Sequence, residues 1–198
     1  MCVDIFSYLL GKKTGGGGSS DLDWTKIGYS YTPQTVVDGY NHAKTVYDSW
    51  ENVSDLSSKC SNDKELIFMP LVDTSNATKC PNLFYGCVRL IEVPQLDTSH
   101  VTNFTSMFYG CTSLKTVPVF DWSGVNLTTG LSNVFQKCPN LSTQSLDNIL
   151  QSCISATNYH GTKTLAQLKL TSTDYPAETI QALPHYEDFT TAGWTIGY

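Results

Sequence analysis

Two Asp-Thr-Ser triplets are the residues of this sequence whose type and spacing come nearest to a catalytic arrangement. They lie at 73–75 and 97–99, and in aspartic proteases two such aspartates share a proton between their carboxylates. The triplets are 24 residues apart, which equals the period of an internal repeat that contains both. Repetition therefore explains the pair more simply, with Asp and Ser oxygens accepting backbone N–H groups at one corner of successive coils.

Histidine and cysteine show no catalytic or metal-binding spacing. The four histidines are not spaced as ligands of one site, and the seven cysteines include no Cys-x-x-Cys pair, whereas a structural zinc needs four converging ligands. His160 and His185 could approach each other in the folded chain, although a structural or exposed histidine is the simpler interpretation. We therefore predict no catalytic residue, no metal site and no cofactor, and we expect that the protein is not an enzyme.

Composition indicates a folded protein with few charges. Only 15% of the 198 residues are charged and 40% are hydrophobic, which excludes disorder over most of the chain. The net charge of −6 argues against nucleic acid or an anionic membrane as the main partner. No stretch approaches 18 apolar residues, so we expect no membrane span. The basic residues follow the N-terminal apolar stretch, so we expect no secretory signal, synthesis in a cytoplasm and reduced cysteines.

An internal repeat is the strongest signal in the sequence. Residues 63–86 align with residues 87–110 after a shift of 24 positions, and 10 of the 24 aligned residues are identical. A third copy, residues 111–137, fits after an insertion of three residues, and a fourth begins at Cys138 before the pattern changes. Periods of about 20–50 residues are typical of solenoids, in which each repeat contributes one structural unit.

The apolar positions predict what each copy builds. They step every three residues towards a proline, as Phe108, Cys111, Leu114 and Val117 do, which indicates a short helical turn followed by a short extended segment. Neither element can bury its apolar side alone, so neighbouring copies must stack. We therefore predict an α/β repeat solenoid whose extended segments form a short parallel sheet. One buried cysteine of each copy then lies above the next: Cys87, Cys111 and Cys138.

The segments outside the repeats complete a division into five parts. Residues 1–14 are an N-terminal docking segment or, equally, a terminal helix, and the Gly/Ser-rich residues 15–20 are a flexible linker. Residues 21–62 are an N-terminal helical cap, residues 63–141 are the repeats, and residues 142–198 are a C-terminal helical cap.

The two caps are predicted from helix signals. In the first, Thr32 and Pro33 begin a helix with an apolar stripe. In the second, Ser145 caps a helix, the stretch around Pro176 opens another, and Pro184 opens a third. The last five residues alternate in polarity like a short strand.

The repeat pattern also resembles a known family. The pattern C-x-x-L-x-x-V-P-x-[LF]-D-x-S-x-V-T-x-x-x-S-M-F-x-G-C resembles the leucine-rich repeats of the BspA-like type, found in bacterial surface proteins and in tail-associated proteins of phages and prophages of gut Firmicutes. The start IFSYLLGKKTGGGG and the end LPHYEDFTTAGWTIGY resemble the termini of such phage proteins. The resemblance implies a leucine-rich-repeat parallel sheet with an N-terminal and a C-terminal helical cap.

The resemblance and the absence of catalytic spacing predict a non-enzymatic binding protein. It would be a tail-associated module of the virion, made in the host cytoplasm, with residues 1–14 contacting other tail proteins, and tail appendages of this kind are often homo-oligomers. Its repeat surface would recognise a host-surface protein or glycan. Candidate ligand-binding residues differ between copies on the coil surface: Gln95, His100, Phe120, Trp122 and Asn126.

Alternatives remain for both the site and the function. Trp122 replaces Thr74 and Thr98 at a polar corner, and contact with the three-residue insertion would explain it as well as ligand binding. A bacterial adhesin at the cell surface, or an intracellular scaffold of the same repeat class, would use the same module. An enzyme within residues 142–198 is a third alternative for which the sequence offers no residues.

Overall fold

The computed structural model describes residues 53–69 and 72–198, together with Asp38, His42 and Trp50. The chain divides into two compact units, Met1–Asp38 and Gly39–Tyr198, and every described residue except Asp38 belongs to the second. Asp38 and His42 are helical. The predictions for residues 1–14 and 15–20, and the start of the predicted helix at Thr32, lie outside the described residues.

Copies of the repeat are joined through the backbone of their turns. Every second N–H of a turn donates to a carbonyl of the next copy, as from Cys80 to Asn103 and from Phe84 to Met107, both at 2.9 Å. The intervening N–H groups donate three residues back within the same turn, as from Leu83 to Cys80 at 3.2 Å. Each turn therefore satisfies part of its own backbone and also holds the neighbouring copy in a fixed register.

The same hydrogen bonds begin before the first predicted copy. Leu56 donates to Lys79 and Cys60 donates to Leu83, both at 3.0 Å, with the 23-residue offset that also separates Phe84 from Met107. Residues 56–62 therefore belong with the repeats and not with the predicted cap over 21–62. The sequence conceals this turn because it keeps few of the repeated residues, with Cys60 for example in the place of a phenylalanine.

Left-handed backbone recurs at two positions of every turn. The φ angles there lie between 54° and 75°, a region that glycine enters freely and that costs other residues about 1–2 kcal/mol. Ser58, Asn82, Ser106 and Asn133 hold the first position. The second is held by Asn62, Gly86, Gly110 and Lys137. This requirement explains why Phe-Tyr is followed by glycine in two copies.

The extended segments are paired only at single residues. Parallel bridges join Phe68 to Glu92 and Glu92 to Thr116, each at the 24-residue period. No continuous strand is present at these positions in the described part of the chain. A proline lies two positions after Glu92 and again two positions after Thr116. Proline has no N–H that could extend the pairing. The parallel sheet is thus limited to isolated pairs, and the leucine-rich-repeat solenoid stays a prediction.

Stacked rings and thiols fill the interior of the repeats. The rings of Phe84 and Phe108 stack at 5.5 Å between centroids, and those of Phe108 and Phe135 at 5.6 Å. A cysteine lies three residues after each of these phenylalanines. Its thiol donates to a carbonyl of the preceding copy, at 2.9–3.0 Å. The predicted burial of these cysteines is confirmed: Cys87, Cys111 and Cys138 are at most 2% exposed.

Residues 142–198 contain four helices: α1 (Thr143–Ser155), α2 (Leu165–Leu168), α3 (Ala177–Gln181) and α4 (Tyr186–Thr191). The helices expected near Pro176 and Pro184 correspond to α3 and α4, and α2 was not expected. The N-cap of α1 is Ser142, whose side chain accepts from the backbone of Ser145, so the start predicted at Ser145 is three residues too late. The predicted final strand is a single parallel bridge between Thr164 and Thr195.

Candidate functional site

Helix α1 covers the edge of the third copy, where no further coil follows. The Ser145 hydroxyl accepts from the Val117 N–H at 3.1 Å and donates to the Lys115 carbonyl at 2.8 Å. One turn later, the Asn148 side-chain amide donates to the Val117 carbonyl at 2.8 Å. Side chains of a helix thus make the hydrogen bonds that a neighbouring strand would make, and the edge is closed to further pairing.

Two more serines continue this contact along α1. Ser152 accepts from the Phe120 N–H at 2.9 Å, and Ser155 accepts from the Trp122 N–H at 2.8 Å. With Ser145 they occupy positions i, i+7 and i+10, which share one face of a helix. Helix α1 therefore buries a strip of serines against backbone, in addition to the apolar residues that a surface helix usually buries.

The repeated Asp-x-Ser corners form turns. The carboxylates of Asp73, Asp97 and Asp121 each accept from the backbone N–H two residues on, at 2.9–3.1 Å. This confirms the prediction that the aspartate oxygens accept backbone N–H groups at the corners of successive copies. The hydrogen bonds from Ser75 and Ser99 lower the pKa of Asp73 and of Asp97, so both exposed carboxylates stay ionised at neutral pH.

A cleft of about 510 Å³ opens beside two of these corners. Gln95 lies at its rim and donates to the Val119 carbonyl of the next copy at 2.8 Å. Asp97 and Asp121 contribute two carboxylates, one from each copy, and the partly exposed Val119 contributes apolar surface. The cleft is therefore acceptor-rich and suited to a ligand that brings hydroxyl or amine donors.

Three of the five predicted ligand-binding residues are exposed. Gln95, His100 and Asn126 face solvent, and the His100 ring lies 3.2 Å from the Ser99 hydroxyl, at the corner that borders the cleft. Only Gln95 lines the cleft among these three. The cleft therefore unites part of the predicted set, and Asn126 is not part of it.

The expected exposure of Phe120 and Trp122 is wrong. Phe120 is 1% exposed and Trp122 is 0% exposed, and their rings stack at 6.3 Å between centroids. The physical reason lies in the preceding copy, where the Thr98 hydroxyl donates to the Asp121 carbonyl at 3.0 Å. The third copy has no following coil to accept such a bond, and an aromatic side chain fills the space beneath α1 instead.

A buried carboxylate paired with a histidine was not foreseen. Asp147 of α1 is 4% exposed, and it accepts from the His185 backbone at 3.0 Å, from His185 Nδ1 at 2.7 Å and from Gln151 Nε2 at 3.2 Å. The partners lie 38 residues apart in the chain, so no local pattern could have indicated the pair. His185 does not pair with His160, which is exposed.

Chemical groups that would suggest metal or redox function are sparse in the described part of the chain. No group of three or more His, Cys, Asp or Glu residues is placed to hold a metal ion there. The six described cysteines are buried, and burial raises the pKa of Cys87 and of Cys138 to about 12. Among these same residues, no helix has the length and apolarity to cross a membrane.

Comparison with known families identifies the repeat region. Residues 51–168, which are 118 of the 198 residues, match the family described as Mycoplasma protein of unknown function, DUF285. The chain belongs to this family. It is a BspA-like family, so the resemblance is confirmed at that level. The match includes the early turn at residues 56–62. Neither a curated protein nor a solved structure matches the chain.

Proposed function

We propose that this member of the DUF285 family is a non-enzymatic binding protein, built as a short leucine-rich-repeat solenoid with helical caps. The observation that carries the proposal is the acceptor-rich cleft beside Gln95, set on copies that are joined by regular backbone hydrogen bonds. A frame of this kind loses little conformational entropy when a ligand binds.

The chemistry of the cleft supports a hydroxyl-bearing ligand such as a host-surface glycan or a polar protein segment. Two carboxylates accept hydrogen bonds, the Gln95 side chain lies at the rim, and the Ser99 hydroxyl can donate or accept. Apolar surface from Val119 lies beside these groups. Such a mixture of a few polar groups and apolar surface is typical of ligand clefts.

The tail of a phage or prophage is the proposed setting. Residues 1–14 would then attach the chain to other tail proteins, and the virion would carry it after synthesis in the host cytoplasm. The support for this setting is the resemblance of the chain termini and of the repeats to phage proteins. A bacterial surface adhesin of the same repeat class is the second candidate, because the family match covers the repeats and not the termini.

A glycan array probed with the labelled full-length chain tests the binding proposal. We expect selective binding to hydroxyl-rich ligands, weakened at least 10-fold by Gln95→Ala and by Asp121→Asn, whereas Thr173→Ala, an exposed position outside the cleft, serves as the unchanged control. The same variants are then compared on intact gut Firmicute cells. Binding that both cleft variants retain in full would refute the cleft as the site.

Purified phage or prophage particles test the setting. We expect an antibody against this chain to label particles that withstand gradient purification. Recovery of the chain only in the bacterial envelope would refute the virion and favour the adhesin.

A further inference from the structure

A second cleft lies in the C-terminal part of the chain, away from the repeat corners. It has a volume of about 550 Å³ and is lined by residues of α1 and α4, by His185 just before α4, and by one residue of the third copy. His185 and its buried partner Asp147 define this cleft chemically. It shares only Val119 with the lining of the first cleft.

The hydrogen bonds of Asp147 decide how His185 is presented. The Nδ1 of His185 lies 2.7 Å from a carboxylate oxygen of Asp147, and we assign the ring hydrogen to Nδ1 because that oxygen is its acceptor. In the neutral ring the Nε2 atom is then left with its lone pair as an acceptor. The ring is half exposed, at 38%, while the Asp147 side chain is 5% exposed. A buried carboxylate therefore holds a half-exposed ring that lines the cleft.

Two neighbouring side chains also offer acceptors. The Nε2 of Gln151 is engaged with Asp147, which leaves its Oε1 free to accept from a ligand. Asp188 lines the cleft with a carboxylate that is exposed and has no hydrogen-bond or ion-pair partner among the described residues. Three acceptors from three side chains thus surround one space, and Lys and Arg are absent from its lining.

The remaining lining is apolar. Val119, Ile154 and Ala192 form a patch beside the three acceptors, and only Thr191 adds a hydroxyl. A ligand that suits this cleft needs several hydrogen-bond donors at one end, a positive charge to match Asp188, and a short hydrocarbon portion. An anion would lack donors and would meet a carboxylate at close range.

We propose that this cleft binds a primary ammonium group carried on an apolar stem. An ammonium has three donors and no acceptor, which matches His185 Nε2, Gln151 Oε1 and the Asp188 carboxylate. A lysine side chain of a partner protein and an amino sugar both present this group. The site does not depend on the glycan function proposed for the first cleft.

Titration of the full-length chain with n-butylammonium, followed by the backbone amide resonances of residues 185–192, tests the proposal. n-Butanol is the matched neutral probe. We expect saturable shifts with butylammonium, at a Kd of about 1–10 mM for so small a ligand, and none with butanol at the same concentrations. Nα-acetyl-lysine methylamide and glucosamine are the second pair of probes, and the tighter binder identifies the source of the ammonium.

Variants separate a binding role from a structural one. Asp188→Asn should weaken butylammonium about 10-fold because it removes a charge-assisted hydrogen bond, whereas Glu187→Gln, on the same turn but outside the lining, should leave the Kd unchanged. His185→Gln offers a test of the imidazole, with unchanged helical circular dichroism as the check on folding.

Four results would overturn the proposal. They are equal binding of butanol and butylammonium, no saturable shift, equal effects of Asp188→Asn and Glu187→Gln, and shifts produced by Zn²⁺ but not by butylammonium.

Discussion

Replacing Ser145 by alanine tests whether helix α1 closes the edge of the repeats through its side chains. The hydroxyl has two partners in the third copy, Val117 N–H and Lys115 C=O. The Lys115 carbonyl keeps the N–H of Ser142 at 2.9 Å, and the exposed Ser142 hydroxyl, which donates to Ser145 at 3.0 Å, can turn to water. Alanine therefore leaves the Val117 N–H as the buried donor without a partner. An orphaned buried donor costs about 1–3 kcal/mol, and the better helix propensity of alanine recovers up to about 0.5 kcal/mol.

The net expectation for Ser145→Ala is a loss of about 1–2 kcal/mol in the free energy of unfolding. In a chain of this size it lowers Tm by about 2–8 °C. Ser152→Ala should cost a similar amount, because it orphans the Phe120 N–H in the same way. Gln144→Ala is the matched control, since Gln144 lies on the exposed side of α1 and contacts only Asn148 through its side chain.

Urea denaturation followed by circular dichroism gives the free energies for the two serine variants, their double variant and the control. The double variant should lose about the sum of the two single losses, because the two N–H groups have separate partners. Losses below about 0.5 kcal/mol for both serine variants, equal to the control, would refute the reasoning, since they would mean that water replaces the hydroxyls at no cost.

Three further predictions rest on single contacts. Gly161→Ala should destabilise the fold by at least about 2 kcal/mol in the same assay, because an added Cβ would overlap the Tyr159 hydroxyl; a neutral result would contradict the close packing. Cys138 has a pKa of about 12, so at pH 8 its thiolate fraction should be about 1000-fold lower than that of a thiol of pKa 9. Peptide mass spectrometry should show that Cys138 resists iodoacetamide until guanidinium unfolds the chain. Hydrogen bonds from Ser57 lower the pKa of Asp55 to about 2. This carboxylate therefore stabilises the folded state above its unfolded pKa, and the stabilisation is lost as the pH falls towards 2. In Ser57→Ala, NMR titration should show the pKa of Asp55 raised towards 3.8.

The period of the repeat made much of the fold predictable. A shift of 24 residues aligned Cys87 with Cys111, and the structure buries both at the same place in successive copies. The same shift explained Asp73 and Asp97 as one corner repeated, which the turn hydrogen bonds confirm. The early turn at residues 56–62 escaped detection because backbone conformation is conserved there while side chains are not.

The candidate sites were less predictable. Gln95 was identified because its position differs between copies while the repeat around it is preserved, and it does line a cleft. Trp122 was misassigned because its burial depends on α1, which lies more than 20 residues further along the chain. The pair of Asp147 and His185 gave no local signal, since the two residues lie 38 positions apart in the chain.

The sequence by itself determined the period, the stacked cysteines and the turn at each corner, because these depend on interactions between equivalent positions one repeat apart. Only the tertiary structure decided how the array ends. The last copy has no equivalent neighbour, so the N–H groups of Val117, Phe120 and Trp122 meet serines of α1. Its turn instead donates to carbonyls of α2, as from Phe135 to Leu168. The clefts at this end follow from that contact and from the position of α4, which no periodicity specifies.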